Sequence, residues 1–143
     1  MYRKIDHVAI AVRSIEAARS VYSGVLGLGP GTIEEIPEQR VRAALLPVGE
    51  SRIELLEAAG EGSPIAAFLD KRGEGLHHIC FEVDDLDAEI TRLRAAGMRL
   101  VDQAPRTGAG GCRITFLHPS GTSGVLIELS QPGAYKTTES HSE

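Results

Sequence analysis

The chain is poor in several things that other protein classes depend on. Its two cysteines, Cys80 and Cys112, make neither a metal-binding nor a redox motif. No apolar run approaches the roughly 20 residues that span a bilayer. Basic residues are the minority, 15 against 20 acidic ones for a formal charge of −5, and they form no cluster, which argues against a nucleic-acid surface. Cationic contacts to an anionic ligand must then be local, with Arg40, Arg42, Lys71, Arg72 and Arg106 as candidates. No leader is expected ahead of the first strand, because Lys4-Ile5-Asp6-His7 already reads as folded sequence. These absences together set the expectation of a protein of the reducing cytoplasm.

What is present is a core and a repeat. A hydrophobic share of 42% suffices for one compact domain of 143 residues. Within it the vocabulary occurs twice. Asp6-His7-Val8-Ala9-Ile10-Ala11-Val12 followed by Ser14-Ile15-Glu16-Ala17 returns as His77-His78-Ile79-Cys80-Phe81-Glu82-Val83 followed by Asp85-Leu86-Asp87-Ala88. His7 and His78 are 71 positions apart, as are Val12 and Val83. Arg52-Ile53-Glu54-Leu55 is likewise echoed by Leu126-Ile127-Glu128-Leu129. Each copy opens on a strand with a histidine and closes on a strand with a glutamate.

The patterning predicts a βαβββ module in each copy. Strands are expected at Ile5–Val12, Ile33–Ile36, Val41–Leu46 and Arg52–Glu57, with turns at Pro37 and around Pro47–Glu50. A helix capped by Ser14 should bury the stripe Ile15, Ala18, Tyr22 and Leu26, and end at Gly27 and Gly29. Ser63-Pro64 starts a connector helix that Ile65, Phe68 and Leu69 could dock. The second copy is expected to place strands at Leu76–Val83, Met98–Val101, Cys112–Leu117 and Val125–Leu129, and a helix at Leu86–Ala96. The boundaries are module one at about 4–58, a connector at 59–74, module two at about 75–131, and a flexible tail at 132–143.

Side-chain parity carries the functional argument. Residues two apart in a strand share a face. His7 is thereby set opposite Val8, Ile10 and Val12. Glu54 is set opposite Ile53 and Leu55, and Glu128 opposite Val125, Ile127 and Leu129. The apolar sets point to a helix-covered core and the polar residues to the other surface. A sheet from each module, curled around a common cleft, would gather His7, Glu54, His78 and Glu128. Each alone reads as an ordinary strand residue. The coincidence of both residue types in both repeats points to one divalent-metal site. Alignment selects His78 over His77, which then falls in the helix-side layer or at a sheet margin. His118 lies beyond a strand end, where it lines a pocket or fixes a turn. Cys80 shares the face of His78 as a small lining residue. Thr107-Gly108-Ala109-Gly110-Gly111 is a loop whose N–H groups could approach an anion.

These stretches resemble the vicinal oxygen chelate superfamily and, within it, the methylmalonyl-CoA epimerases. The likeness runs from Ile5 to about Gln131, through Asp6–Val12, Pro37-Glu38-Gln39, Ile53–Glu57, Ser63–Ala66, Gly75–Ile79, Phe116–Pro119 and Gly124–Leu129. It implies an α+β fold of two tandem βαβββ modules forming a curved mixed sheet around a metal-binding cleft. It further implies a metal held by His7, Glu54, His78 and Glu128, and interconversion of (R)- and (S)-methylmalonyl-CoA. The expected ion is cobalt, with manganese, nickel or zinc as substitutes, the partner an acyl-CoA, and the assembly a homodimer. Glu128 is the expected base, with Glu54, another acid or a water as second proton carrier. Gln39, Gly110, Gly111 and His118 are the expected substrate contacts. Two departures matter. Some members carry glutamine where this chain has Glu54, and some carry a catalytic glutamate where it has Ala43. A glyoxalase-type isomerase or lyase and a non-catalytic ligand-binding protein are the alternatives. An extradiol oxygenase is disfavoured by the fourth ligand.

Overall fold

The computed structural model describes residues 1–133. Residues 134–143, most of the expected tail, lie outside the described residues. The chain divides into two compact units, one of residues 6–78 and the other of residues 1–5 with the chain from Ile79 onward. No helix among the described residues is long and apolar enough to cross a membrane. The two βαβββ modules are both present, each with one parallel and otherwise antiparallel strand pairs.

In the unit of residues 6–78, strand β1 (Tyr2–Ala11) leads into helix α1 (Ile15–Arg19), and strands β2 (Thr32–Ile36), β3 (Val41–Val48) and β4 (Ser51–Ala58) follow. Helix α2 (Pro64–Arg72) and the start of strand β5 (Gly75–Val83) complete it. The strand order is β2-β3-β4-β1. Val12, Ile15, Ala44, Leu46 and Leu55 form the core, with Ile10 and Ile53 packed on them. These are the apolar faces that alternation assigned. Ser14 caps α1 by accepting from the Ala17 N–H at 3.2 Å, and Ser63 caps α2 by accepting from the Ile65 N–H at 3.2 Å.

Helix α1 departs from expectation. It continues as a π-helical turn over Ser20–Val25, in which the Leu26 N–H reaches back five residues to the Val21 carbonyl. The wider turn rotates the following residues away from a 3.6-residue stripe. Ala18 and Tyr22 pack on the core as expected, but Leu26 is 61% exposed and Leu28 packs in its stead. Gly27, at φ +83°, carries the chain out of the helix.

The other unit takes up the rest of β5, then helix α3 (Leu86–Ala95), strands β6 (Arg106–Thr107) and β7 (Arg113–Leu117), and strand β8 (Ile127–Gln131), in the strand order β5-β8-β7-β6. Val83, Leu86, Ile90, Leu93, Leu117 and Leu129 form its core. Two expected strands shift. Met98–Val101 pairs only through an isolated bridge between Leu100 and Leu117, because it breaks off into the turn before Pro105. Val125 belongs to a turn in which the Thr122 hydroxyl donates to the Val125 carbonyl, so β8 begins at Ile127 and Val125 is exposed.

Each unit also ties its helix to its glutamate-bearing strand. Three residues after Glu54, Glu57 Oε1 accepts from the Ile15 N–H at 2.7 Å. Three residues after Glu128, Gln131 Oε1 accepts from the Leu86 N–H at 2.8 Å. An odd spacing along a strand points the two side chains to opposite faces. The glutamate is thus turned away from the helix while its companion satisfies an orphan amide at the helix start.

Candidate metal centre

β1 and β4 run parallel, with His7 beside Arg52 and Ala9 beside Glu54. His7, Ala9 and Glu54 therefore share one face. The fully buried Ala9 presents only a methyl group there, so the Glu54 side chain can reach toward His7. His78 comes from the first half of β5. Three Lewis-basic atoms meet. His7 Nε2 lies 3.2 Å from Glu54 Oε1 and 3.3 Å from His78 Nε2, and His78 Nε2 lies 3.7 Å from Glu54 Oε1. All three residues are buried.

Buried Lewis-basic atoms aimed at one point repel one another unless a cation or a shared proton lies among them. The spacing suits a metal. With bonds of about 2.0–2.1 Å, neighbouring donors stand about 3.0 Å apart around an octahedral ion and about 3.4 Å apart around a tetrahedral one. Two imidazoles and a carboxylate are the donors that zinc, cobalt, manganese and nickel accept. The trio offers one ligand atom per residue within a sphere that a single ion can bridge.

The remaining bonds of the imidazoles are also defined. His7 Nδ1 donates to Asp6 Oδ2 at 2.7 Å, and the same oxygen accepts from the Arg52 guanidinium. Burial opposes ionisation of Asp6, but the hydrogen bonds from His7 and Arg52 outweigh it and hold the carboxyl well below the usual carboxylate range. His78 Nδ1 lies 2.8 Å from His77 Nδ1. The His77 ring stands edge-on to Phe68 of α2, with centroids 4.9 Å apart. The Asp6 and His77 contacts went unread in the sequence, because alternation puts neighbouring strand residues on opposite faces.

The other expected residues fall as follows. Glu128 is buried on β8 in the other unit, between Cys80 on β5 and Phe116 on β7. Its small neighbour Cys80 matches Ala9 beside Glu54, so both repeats leave room beside the glutamate. Ala43 is fully buried on β3, opposite Leu56 of β4 and Glu34 of β2. Gln39 ends the one-turn helix Pro37–Gln39 and is half-buried. Gly110 and Gly111 both have positive φ in the turn Ala109–Gly111, a backbone that side chains rarely adopt. His118 fixes a turn, its Nδ1 accepting from the Ser120 N–H at 3.0 Å.

Comparison with known proteins places the chain in a family. The model of the Glyoxalase/Bleomycin resistance protein/Dioxygenase superfamily matches residues 6–116. The chain is 43% identical to the ethylmalonyl-CoA/methylmalonyl-CoA epimerase of Cereibacter sphaeroides, over 92% of this chain and 99% of that protein. Among solved structures, the methylmalonyl-CoA epimerase of Mycobacterium tuberculosis superposes with a TM-score of 0.88 at 41% identity, covering 94% of this chain and 91% of that one. A methylmalonyl-CoA epimerase solved with methylmalonyl-CoA and NH4+ superposes with a TM-score of 0.89 at 38% identity, covering 94% and 97%. The chain belongs to the methylmalonyl-CoA epimerase family, within the glyoxalase/bleomycin resistance protein/dioxygenase superfamily.

Proposed function

We propose that this protein interconverts (R)- and (S)-methylmalonyl-CoA with the help of a divalent metal held by His7, Glu54 and His78, with Glu128 as the fourth protein ligand. The observation that carries the metal reading is the convergence of His7 Nε2, His78 Nε2 and Glu54 Oε1 within 3.7 Å of one another. The substrate reading rests on the acyl-CoA esters named for the relatives. Cobalt is the ion of first choice, with manganese, nickel and zinc as competitors.

The α-carbon of a 2-alkylmalonyl thioester lies between two carbonyl carbons, so its proton can leave once the resulting charge is stabilised. When bound, the cation supplies a Lewis acid for the oxygens on which that charge develops. Glu128 accepts the α-proton as the C–H bond breaks, and the electron pair passes into the enolate. Inversion requires a proton from the opposite face. The methyl group of Ala43 has none to give, so a water beside Glu54, or Glu54 itself once protonated, supplies it. Exchange with water then restores both carboxyl groups. Gln39, the Gly110-Gly111 turn and His118 are the proposed substrate contacts. Stabilisation aimed at the developing charge raises the rate, which equal binding of the substrate does not.

The test is incubation with (R)- and with (S)-methylmalonyl-CoA in deuterated water, with and without cobalt(II). Metal-dependent epimerisation with deuterium at the α-carbon is the expected result. Turnover of a hemithioacetal without turnover of either epimer would defeat the substrate assignment. Full epimerisation by a metal-loaded Glu128→Gln variant would remove Glu128 as the base.

A further inference from the structure

Resting on the metal reading above, we propose that the residue immediately before each ligand histidine is its positioning residue: Asp6, braced by Arg52, for His7, and His77 for His78. The two pairs occupy equivalent places in the repeat, 71 positions apart. In each, the preceding side chain meets the Nδ1 edge of the imidazole, at 2.7 Å for Asp6 and 2.8 Å for His77. In each, Nε2 is the nitrogen turned toward Glu54.

A neutral imidazole has one N–H and one lone pair, and the partner of one nitrogen sets the state of the other. An ionised carboxylate only accepts, so Asp6 fixes the His7 proton on Nδ1 and leaves the Nε2 lone pair for an ion. Arg52 donates to the same Asp6 oxygen and so holds the carboxylate in place. His78 needs the same state. Its Nδ1–H donates to the His77 Nδ1 lone pair, which puts the His77 proton on Nε2. Phe68 keeps the His77 ring in register from one side, and the Arg72 guanidinium carbon lies 5.7 Å from the centroid of the Phe68 ring. Helix α2 is thereby linked to the second ligand, as Arg52 on β4 is to the first.

The experiment uses the full-length protein, metal-free and then with cobalt(II). Ring-nitrogen NMR of the metal-free protein reads which nitrogen carries each proton, and Nδ1–H is expected for both His7 and His78. Competition with a chelator reads cobalt affinity. Asp6→Ala/Arg52→Met removes the carboxylate together with its counter-ion. It should release His7 from the Nδ1–H state and weaken cobalt binding about 10–100-fold. Asp6→Asn, whose oxygen still accepts, should restore the tautomer and part of the affinity. His77→Phe keeps a ring against Phe68 but accepts nothing, and should do to His78 what the first variant does to His7, with His77→Asn as its rescue. A purely structural role would lower the melting temperature without changing a tautomer. An Nδ1 without a proton on either ligand in the metal-free wild type overturns the proposal, as do wild-type tautomers and affinity in the double variant and in His77→Phe. A wild type that takes up no cobalt would instead sink the metal reading, while the tautomers still decide the positioning.

Discussion

His7 Nε2 and His78 Nε2 stand 3.3 Å apart although 71 residues separate them in sequence. Holding two buried imidazole nitrogens this close is productive when an ion binds both. Binding to the folded state alone stabilises it by about 2.7 kcal/mol at a hundredfold excess over Kd. For a chain of this size that is a rise in Tm of about 5–10 °C. Cobalt(II) should produce such a rise in a thermal scan of the wild type. His7→Ala and His78→Ala should each abolish it while still melting cooperatively.

Glu54 brings a full negative charge to a position where some relatives have an amide. An ionised acceptor binds more strongly than a neutral one. Glu54→Gln should therefore weaken cobalt binding by about tenfold or more, which is about 1.4 kcal/mol. The ion it does hold is less neutralised by its ligands and should be the stronger Lewis acid. A fully loaded Glu54→Gln variant that inverts neither epimer, yet still exchanges the α-proton of one of them for deuterium, would show that Glu54 also moves a proton.

How far the sequence could be read depended on which local rule held. Strand alternation holds over long stretches, so His7, Glu54 and the apolar faces around Ile10 and Leu55 were readable. The repeat then chose His78 over His77. Alternation also hid something. It treats residues i and i+1 as strangers, yet Nδ1 is the imidazole nitrogen nearer the main chain, and Asp6 and His77 reach it from the next position. The Leu26 expectation failed because a 3.6-residue period was carried through a π-helical turn. That turn has no residue signature beyond the glycines after it. Ser14 and Ser63 were found as caps because their partners are two or three residues away. The caps from Glu57 and Gln131 come from distant strands, and no local pattern announces them.

Thr115 on β7 is almost wholly buried on the side of Leu129, and its hydroxyl has no hydrogen-bond partner among the described residues. An unsatisfied buried polar group costs about 1–3 kcal/mol. Valine has nearly the same shape without the hydroxyl. Thr115→Val should raise the unfolding free energy by about 1 kcal/mol, or Tm by about 2–4 °C, with metal binding unchanged. Chemical denaturation of the two proteins side by side gives the answer, and a destabilised variant would mean that the hydroxyl is satisfied in solution.

Acid should act on the fold through Glu89. Its carboxylate is buried on α3, takes two hydrogen bonds from Arg92 at 2.9 and 2.6 Å, and accepts the Tyr2 hydroxyl at 2.6 Å. The Arg92 guanidinium, against the cost of burial and with help from Tyr2, pulls its pKa from 4.5 down to about 2. Burial and the Glu89 carboxylate push the Tyr2 hydroxyl up to about 12, so it remains a donor throughout the acid range. A carboxyl with a lowered folded-state pKa stabilises fully above its unfolded value. The contribution is therefore complete above about pH 4.5 and is lost as the pH falls through about 2. With Arg92 largely exposed, it is on the order of 2 kcal/mol. Glu89→Gln should be less stable than wild type by that amount at pH 7, and the gap should close between pH 4.5 and 2. Urea titrations at several pH values would show it. A gap that is constant with pH would mean that the variant loses packing and hydrogen bonds alone, and that ionisation of Glu89 contributes nothing to the fold.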